Sequence, residues 1–115
     1  MLYERIIDFA SLPQVAARQL WPFSQDETER RTSYRLALGH ETIQLGIVEY
    51  RILLFLASKP YNAFTRQSIA DAVNSALTPI DESSVDAHVD SLLDQLGVFH
   101  DYVQSVPYIG YRFKP

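Results

Sequence analysis

The chain has 115 residues, 47% of them apolar and 21% charged, a globular balance that fits one domain with a real core and excludes two of ordinary size. It has no cysteine, which excludes a disulfide framework and a cysteine zinc site, and no apolar run near the roughly 20 residues that span a bilayer. The net charge of −4 opposes non-specific binding to nucleic acid, which draws on clustered Lys and Arg. The N-terminus also lacks the basic and then apolar order of a secretory signal. The expectation is a soluble, cytoplasmic protein with no membrane partner.

Residues 2–23 carry two helical patterns. Leu2, Ile6, Phe9 and Ala10 share a face at helical spacing; Ser11 and Pro13 then permit a restart through Val15, Ala16 and Leu20, which Pro22 ends. The charged stretch 24–32 reads as a linker or a solvated turn. Residues 1–32 are therefore predicted as an N-terminal helical extension and linker, and residues 33–115 as the main domain. Trp21 and Phe23 sit beside a proline and need cover. The main domain supplies it, or these helices are a partner or dimer surface, which makes them the candidate seam of a homodimer.

From Ser33 the period changes to two. SYRLAL and ETIQL, separated by Gly39 and His40, predict a β-hairpin. Residues 48–58, VEYRILLFLAS, are apolar almost all round and predict the most buried helix, stopped by Lys59 and Pro60. Thr65 is placed to cap a helix running through Ala76, with Ile69, Ala70, Ala72 and Val73 facing inward. A loop carrying Pro79 follows.

Residues 82–97, ESSVDAHVDSLLDQLG, predict an amphipathic helix closed by a glycine. Val85, His88, Val89, Leu92 and Leu96 gather on one side, with Leu93 at its flank. Glu82, Asp86, Asp90 and Asp94 recur every fourth residue with no Lys or Arg among them, and Ala87 and Ser91 lie on that same outer side. Ser83 is the expected N-cap and Asp86 its capping-box-like partner. Residues 102–106 and 110–113 bracket Pro107 and Tyr108 as a terminal hairpin.

The segments LGIVEYRILLFLASKP, FTRQSIADAV, VDAHVDSLLDQLG and VQSVPYIGYRFKP resemble the C-terminal effector domain of OmpR/PhoB-type response regulators. Val85-Asp86-x-His88-Val89 and Gly110-Tyr111-Arg112-Phe113 are the most specific parts of the match, which covers residues 33–115. The resemblance implies an α+β fold, a winged helix-turn-helix with an N-terminal β-hairpin, a three-helix core and a C-terminal β-hairpin wing. It further implies a transcriptional regulator whose third helix lies in the DNA major groove. In that family the wing touches phosphate or the minor groove, and dimers read tandem half-sites. Where the family carries Arg and Lys after Val-Asp-x-His, this chain has Asp90, Ser91, Leu93, Asp94 and Gln95; at the wing tip it has Pro107 and Tyr108 in place of Arg and Gly. Weak or partner-assisted binding of double-stranded DNA is the expectation that follows. A phosphoreceiver domain needs on the order of 100 residues, so no phosphoacceptor Asp is carried over to the stretch before Ser33. The chain is then an excised effector domain or, as Met1 suggests, a stand-alone member with another input.

The basic residues of the main domain are Arg35, Arg51, Lys59, Arg66, Arg112 and Lys114. Arg66 adjoins a helix cap, where backbone N–H groups favour phosphate, and Arg112 and Lys114 lie at the wing. With Ser91 and Gln95 on the third helix they form the nucleic-acid-binding set, Gln95 being able to contact adenine. Taken singly, each of these cations also reads as an ordinary solvated charge. A second class of function is a protein-interaction module, in which Asp90, Asp94 and the aromatic wing at Tyr108 meet a partner with a basic surface. Catalysis has little support: His40, His88 and His100 lack ligand spacing, and no nucleophile elbow, phosphate loop or metalloprotease motif is present. No enzyme activity, cofactor or metal is predicted. His88 is expected as a hydrogen-bonded core histidine and Asp86 as a local structural acid.

Overall fold

The computed structural model describes residues 6–8, 13, 33–38, 41–76 and 78–115. Strands β1 (Ile6–Asp8), β2 (Ser33–Leu38) and β3 (Glu41–Gly46) form one sheet in the order β1-β2-β3. β1 runs parallel to β2, with Ile6 opposite Arg35. β2 and β3 are the expected antiparallel hairpin, with Leu38 opposite Glu41 and Ser33 opposite Gly46. The helical expectation is corrected at Ile6–Asp8. Ile6 and Ile7 are β-branched and favour extended backbone, and the open edge of β2 gives them a ladder to join. Pro13 is helical; the other expectations for residues 1–32, Trp21 and Phe23 among them, lie outside the described residues.

Helix α1 (Ile47–Ala57) is buried almost all round, as its unbroken apolar run predicts. The exception in chemistry is Arg51, only 2% exposed, whose Nη1 donates to Ser75 Oγ at 3.4 Å and so ties the loop after the next helix to the core. Strand β4 (Phe64–Thr65) leads directly into α2 (Arg66–Val73), and Thr65 Oγ1 accepts the Ser68 N–H at 3.1 Å as the predicted cap. This helix stops three residues short of Ala76. Asn74 is extended and its Oδ1 accepts the Ile80 N–H at 2.8 Å, so the side chain offers backbone a partner outside the helix.

A 3₁₀ turn (Glu82–Ser84) opens α3 (Val85–Leu96). Here the predicted cap is corrected. Asp81, not Ser83, accepts the Ser84 N–H at 3.0 Å, and Ser84 Oγ accepts the Asp81 N–H at 3.2 Å, a reciprocal capping box. Asp86 is thereby released from any capping role. Val85, Val89, Leu92 and Leu96 are fully buried on the predicted face, each stabilising the fold by about 1.5–3 kcal/mol through apolar burial. His88 does not join them as a core histidine: its side chain is half-buried at the rim, Nδ1 standing 4.0 Å from Glu49 Oε1. Gly97, at φ 59, closes the helix with a backbone turn that side chains disfavour.

A second 3₁₀ segment (Gly97–Tyr102) leads to β5 (Val103–Val106) and β6 (Gly110–Phe113), the terminal hairpin. Its sheet has the order β4-β6-β5, with Thr65 opposite Gly110 and Val106 opposite Gly110 on the other side. A Cβ at Gly110 would collide with the Phe64 carbonyl oxygen, so only glycine lets β4 approach β6. One core unites Leu45 of β3, α1, Ile69 and Val73 of α2, the inner face of α3, and Phe113 of β6. Hairpin, three helices and hairpin thus make the winged helix-turn-helix, with α3 and the β5–β6 wing at its surface.

Candidate nucleic-acid interface

The inner stripe of α3 fixes the rotation of the helix, and that rotation decides what it offers outward. Asp86, Ala87, Asp90 and Asp94 are exposed, as is Glu82 in the turn before them. The acidic outer face read from the sequence is therefore real, with one qualification at Asp86. Its Oδ1 accepts the Arg66 Nε–H at 2.7 Å and the Tyr111 O–H at 2.6 Å, and the Arg66 guanidinium carbon lies 5.4 Å from the Tyr111 ring centre. One carboxylate thus joins the first residue of α2, the first turn of α3 and the wing strand β6. The Tyr111 hydroxyl first, and then Arg66, hold the Asp86 carboxyl below the usual carboxylate range. Burial and then the Asp86 hydrogen bond raise the Tyr111 phenol, and the Arg66 guanidinium is raised foremost by its bond to Asp86.

The five nucleic-acid candidates do not share one environment. Arg66 is tied to Asp86 yet keeps 36% of its side chain exposed. Ser91 and Gln95 lie on the flank of α3 that faces the first sheet. Gln95 Oε1 accepts the Gly46 N–H at 3.0 Å and its Nε2 donates to Ser91 Oγ at 3.2 Å. Both side chains are half-buried, and Gln95 is committed to holding α3 against the end of β3. Arg112 donates from Nε at 3.2 Å and from Nη2 at 2.9 Å to Gln104 Oε1 across the wing. Lys114 is exposed just beyond β6. Of the interaction candidates, Asp90 and Asp94 are exposed, and Tyr108 is wholly exposed at the wing tip beside Ile109.

Beside Arg66 an open cleft of about 660 Å³ is lined by Gln67, Ile80, Asp81, Glu82 and Asp86 as well. Among the described residues no group of three His, Asp or Glu side chains is placed to hold a metal ion. Among those residues, too, no helix is long and apolar enough to cross a membrane.

Comparison with known proteins identifies the family to which this fold belongs. Residues 39–113 match the family model described as transcriptional regulatory protein, C terminal. The chain belongs to this family, the OmpR/PhoB-type effector domains. The effector domain is 34% identical over 83 residues to the phosphate regulon transcriptional regulatory protein PhoB of Pseudomonas aeruginosa, covering 71% of this chain and 36% of that protein. It is 30% identical over 85 residues to PhoB of Escherichia coli, covering 72% of this chain and 37% of that protein. The chain thus spans a little over a third of the length of these relatives. Among solved structures, the effector domain is similar to the DNA-binding domain of the response regulator AdeR, crystallised in complex with an intercistronic region. That match has a TM-score of 0.54 and 28% identity, covering 64% of this chain and 78% of that one. The C-terminal domain of the nisin resistance regulator NsrR shares the fold at a TM-score of 0.63 and 20% identity, covering 70% of this chain and 84% of that one.

The Asp86 junction is the part of the site that reading the sequence missed. Asp86, Arg66 and Tyr111 all stand in the segments that carry the family resemblance, but 20 and 25 positions separate Asp86 from its partners. Spacing along the chain held no signal for the contact.

Proposed function

We propose that this chain is the DNA-binding effector domain of a transcriptional regulator, acting in the cytoplasm and holding double-stranded DNA through phosphate contacts with weak base readout. The observation that carries the reading is the Asp86–Tyr111 hydrogen bond at 2.6 Å, which makes α3 and the wing one continuous surface. Arg66 beside that bond, with Arg112 and Lys114 on the wing, are the cations assigned to phosphate in this reading. A bidentate contact from Arg or Lys to a base gives about 1–3 kcal/mol of discrimination, and α3 has neither residue. Asp90 and Asp94, exposed on its outer face, oppose phosphates instead. With Gln95 occupied by Gly46, the base-reading capacity left on the helix is small. The reading gives the domain no catalytic role.

Fluorescence anisotropy against mixed-sequence duplex DNA at low salt tests it. The expected outcome is a dissociation constant on the order of micromolar to tens of micromolar, rising steeply with salt as phosphate contacts require. No binding in that range would favour the second reading, a protein-interaction module for a partner with a basic surface. Tyr108 favours that alternative: it is fully exposed and held at φ 67, a left-handed backbone that costs a non-glycine residue about 1–2 kcal/mol.

A further inference from the structure

We infer that Tyr111 and Asp86 are positioning residues that hold the Arg66 guanidinium as a preset phosphate clamp at the foot of α3. The inference rests on the DNA-binding reading and adds to it how a chain poor in cations makes its strongest contact. A free Arg on a helix end loses much rotamer freedom when it engages a phosphate. Here that freedom is already restricted. Nε is bound to Asp86 Oδ1 at 2.7 Å, and the guanidinium carbon stands over the Tyr111 ring at 5.4 Å. Tyr111 in turn fixes the carboxylate through its own hydroxyl, on the same oxygen, at 2.6 Å. The bond to Asp86 is made by Nε, so the terminal nitrogens stay outside that contact, on a side chain that is 36% exposed and lines the open cleft.

Charge around the cleft sharpens what the clamp can supply. Asp86 neutralises Arg66 locally, and Asp81 and Glu82 add negative charge to the cleft wall. Attraction by net charge is therefore small. What remains is direction: a planar group with N–H donors already aimed, matching the paired oxygens of a phosphate. Tyr111→Phe is the incisive change, because it keeps the ring under the guanidinium and removes only the hydroxyl that anchors the carboxylate.

The experiment is a double-mutant cycle on the full chain, with affinity for duplex DNA measured by anisotropy over a range of salt. The variants are Arg66→Ala, Tyr111→Phe and both together, with thermal melting to confirm folding. Arg66→Ala should weaken binding about ten-fold and reduce the salt slope by about one. Tyr111→Phe should weaken binding about five-fold, the worth of one net hydrogen bond, in the unaltered background and cause no further loss beside Arg66→Ala. Equal losses in both backgrounds would make Tyr111 merely structural and overturn the positioning role. An unchanged salt slope in Arg66→Ala would overturn the clamp while leaving DNA binding intact, and no binding by the unaltered chain would overturn the DNA reading itself. Should Tyr111→Phe fold poorly, Asp86→Ala at an exposed side chain completes the same cycle, read as the difference between the two backgrounds.

Discussion

The Asp86 carboxylate accepts from Tyr111 and from Arg66, and both bonds favour its charged form more in the folded chain than in the unfolded one. Its pKa is depressed on folding, so the stability it contributes is fully present above the ordinary carboxylate value of about 3.9. That stability is lost as pH falls through the lower, folded value. Asp81 acts in the same direction, held low first by the Ser83 hydroxyl and then by the Ser84 N–H. Asp86→Asn should therefore flatten the fall of melting temperature below about pH 4, a modest effect because solvent screens a side chain that is 55% exposed. Melting curves of both proteins from pH 2 to pH 7 decide it; parallel profiles would sink the assignment. At this scale the sequence misled in an instructive way. Asp86 stands three residues after Ser83, and that local pattern suggests a cap. Asp81 held the competing cap, while the true partners of Asp86 come from elements that meet it only after folding. The Gln95 bond to Gly46 spans 49 positions and is hidden for the same reason.

Elements with a strong period were legible to within a residue or two. The apolar stripe of α3 is buried at Val85, Val89, Leu92 and Leu96, and the all-round apolar run became the buried α1. Elements defined by a partner were not. β4 is two residues long and exists because β6 lies beside it, an approach that depends on Gly110. The end of α2 was overestimated because an asparagine side chain captured backbone from beyond it. The outer face of α3 offers the decisive test at this scale. Changing Asp90 to Arg together with Asp94 to Lys replaces two exposed acids with cations at spacing that leaves the buried stripe untouched. If α3 enters a groove, duplex affinity at low salt should rise at least about ten-fold, or about 1.4 kcal/mol. An unchanged affinity, with an unchanged melting temperature, would mean that this face never approaches DNA.

Among the described residues two small sheets flank helices α1 to α3, and the first sheet draws on residues from both sides of Thr32. β1 covers the edge of β2 in parallel register from Ile6 opposite Arg35 to Asp8 opposite Ala37. A parallel pair of this kind leaves no turn signature, which is why the extended backbone at Ile6 and Ile7 escaped a reading based on helical spacing. The pairing changes what removal of residues 1–32 would do. It would strip β1 and leave the ladder groups of β2 unpaired along an open edge, a surface prone to irregular association. The shortened chain should melt at a lower temperature than the full chain. We also propose residues 1–32 as the seam of a homodimer, and sedimentation separates that idea from the loss of the strand. A seam requires the mass to fall from two copies to one when those residues are removed. A lower melting temperature with unchanged mass would leave β1 as a cover for the sheet and move the search for a dimer contact to the exposed wing tip at Tyr108 and Ile109.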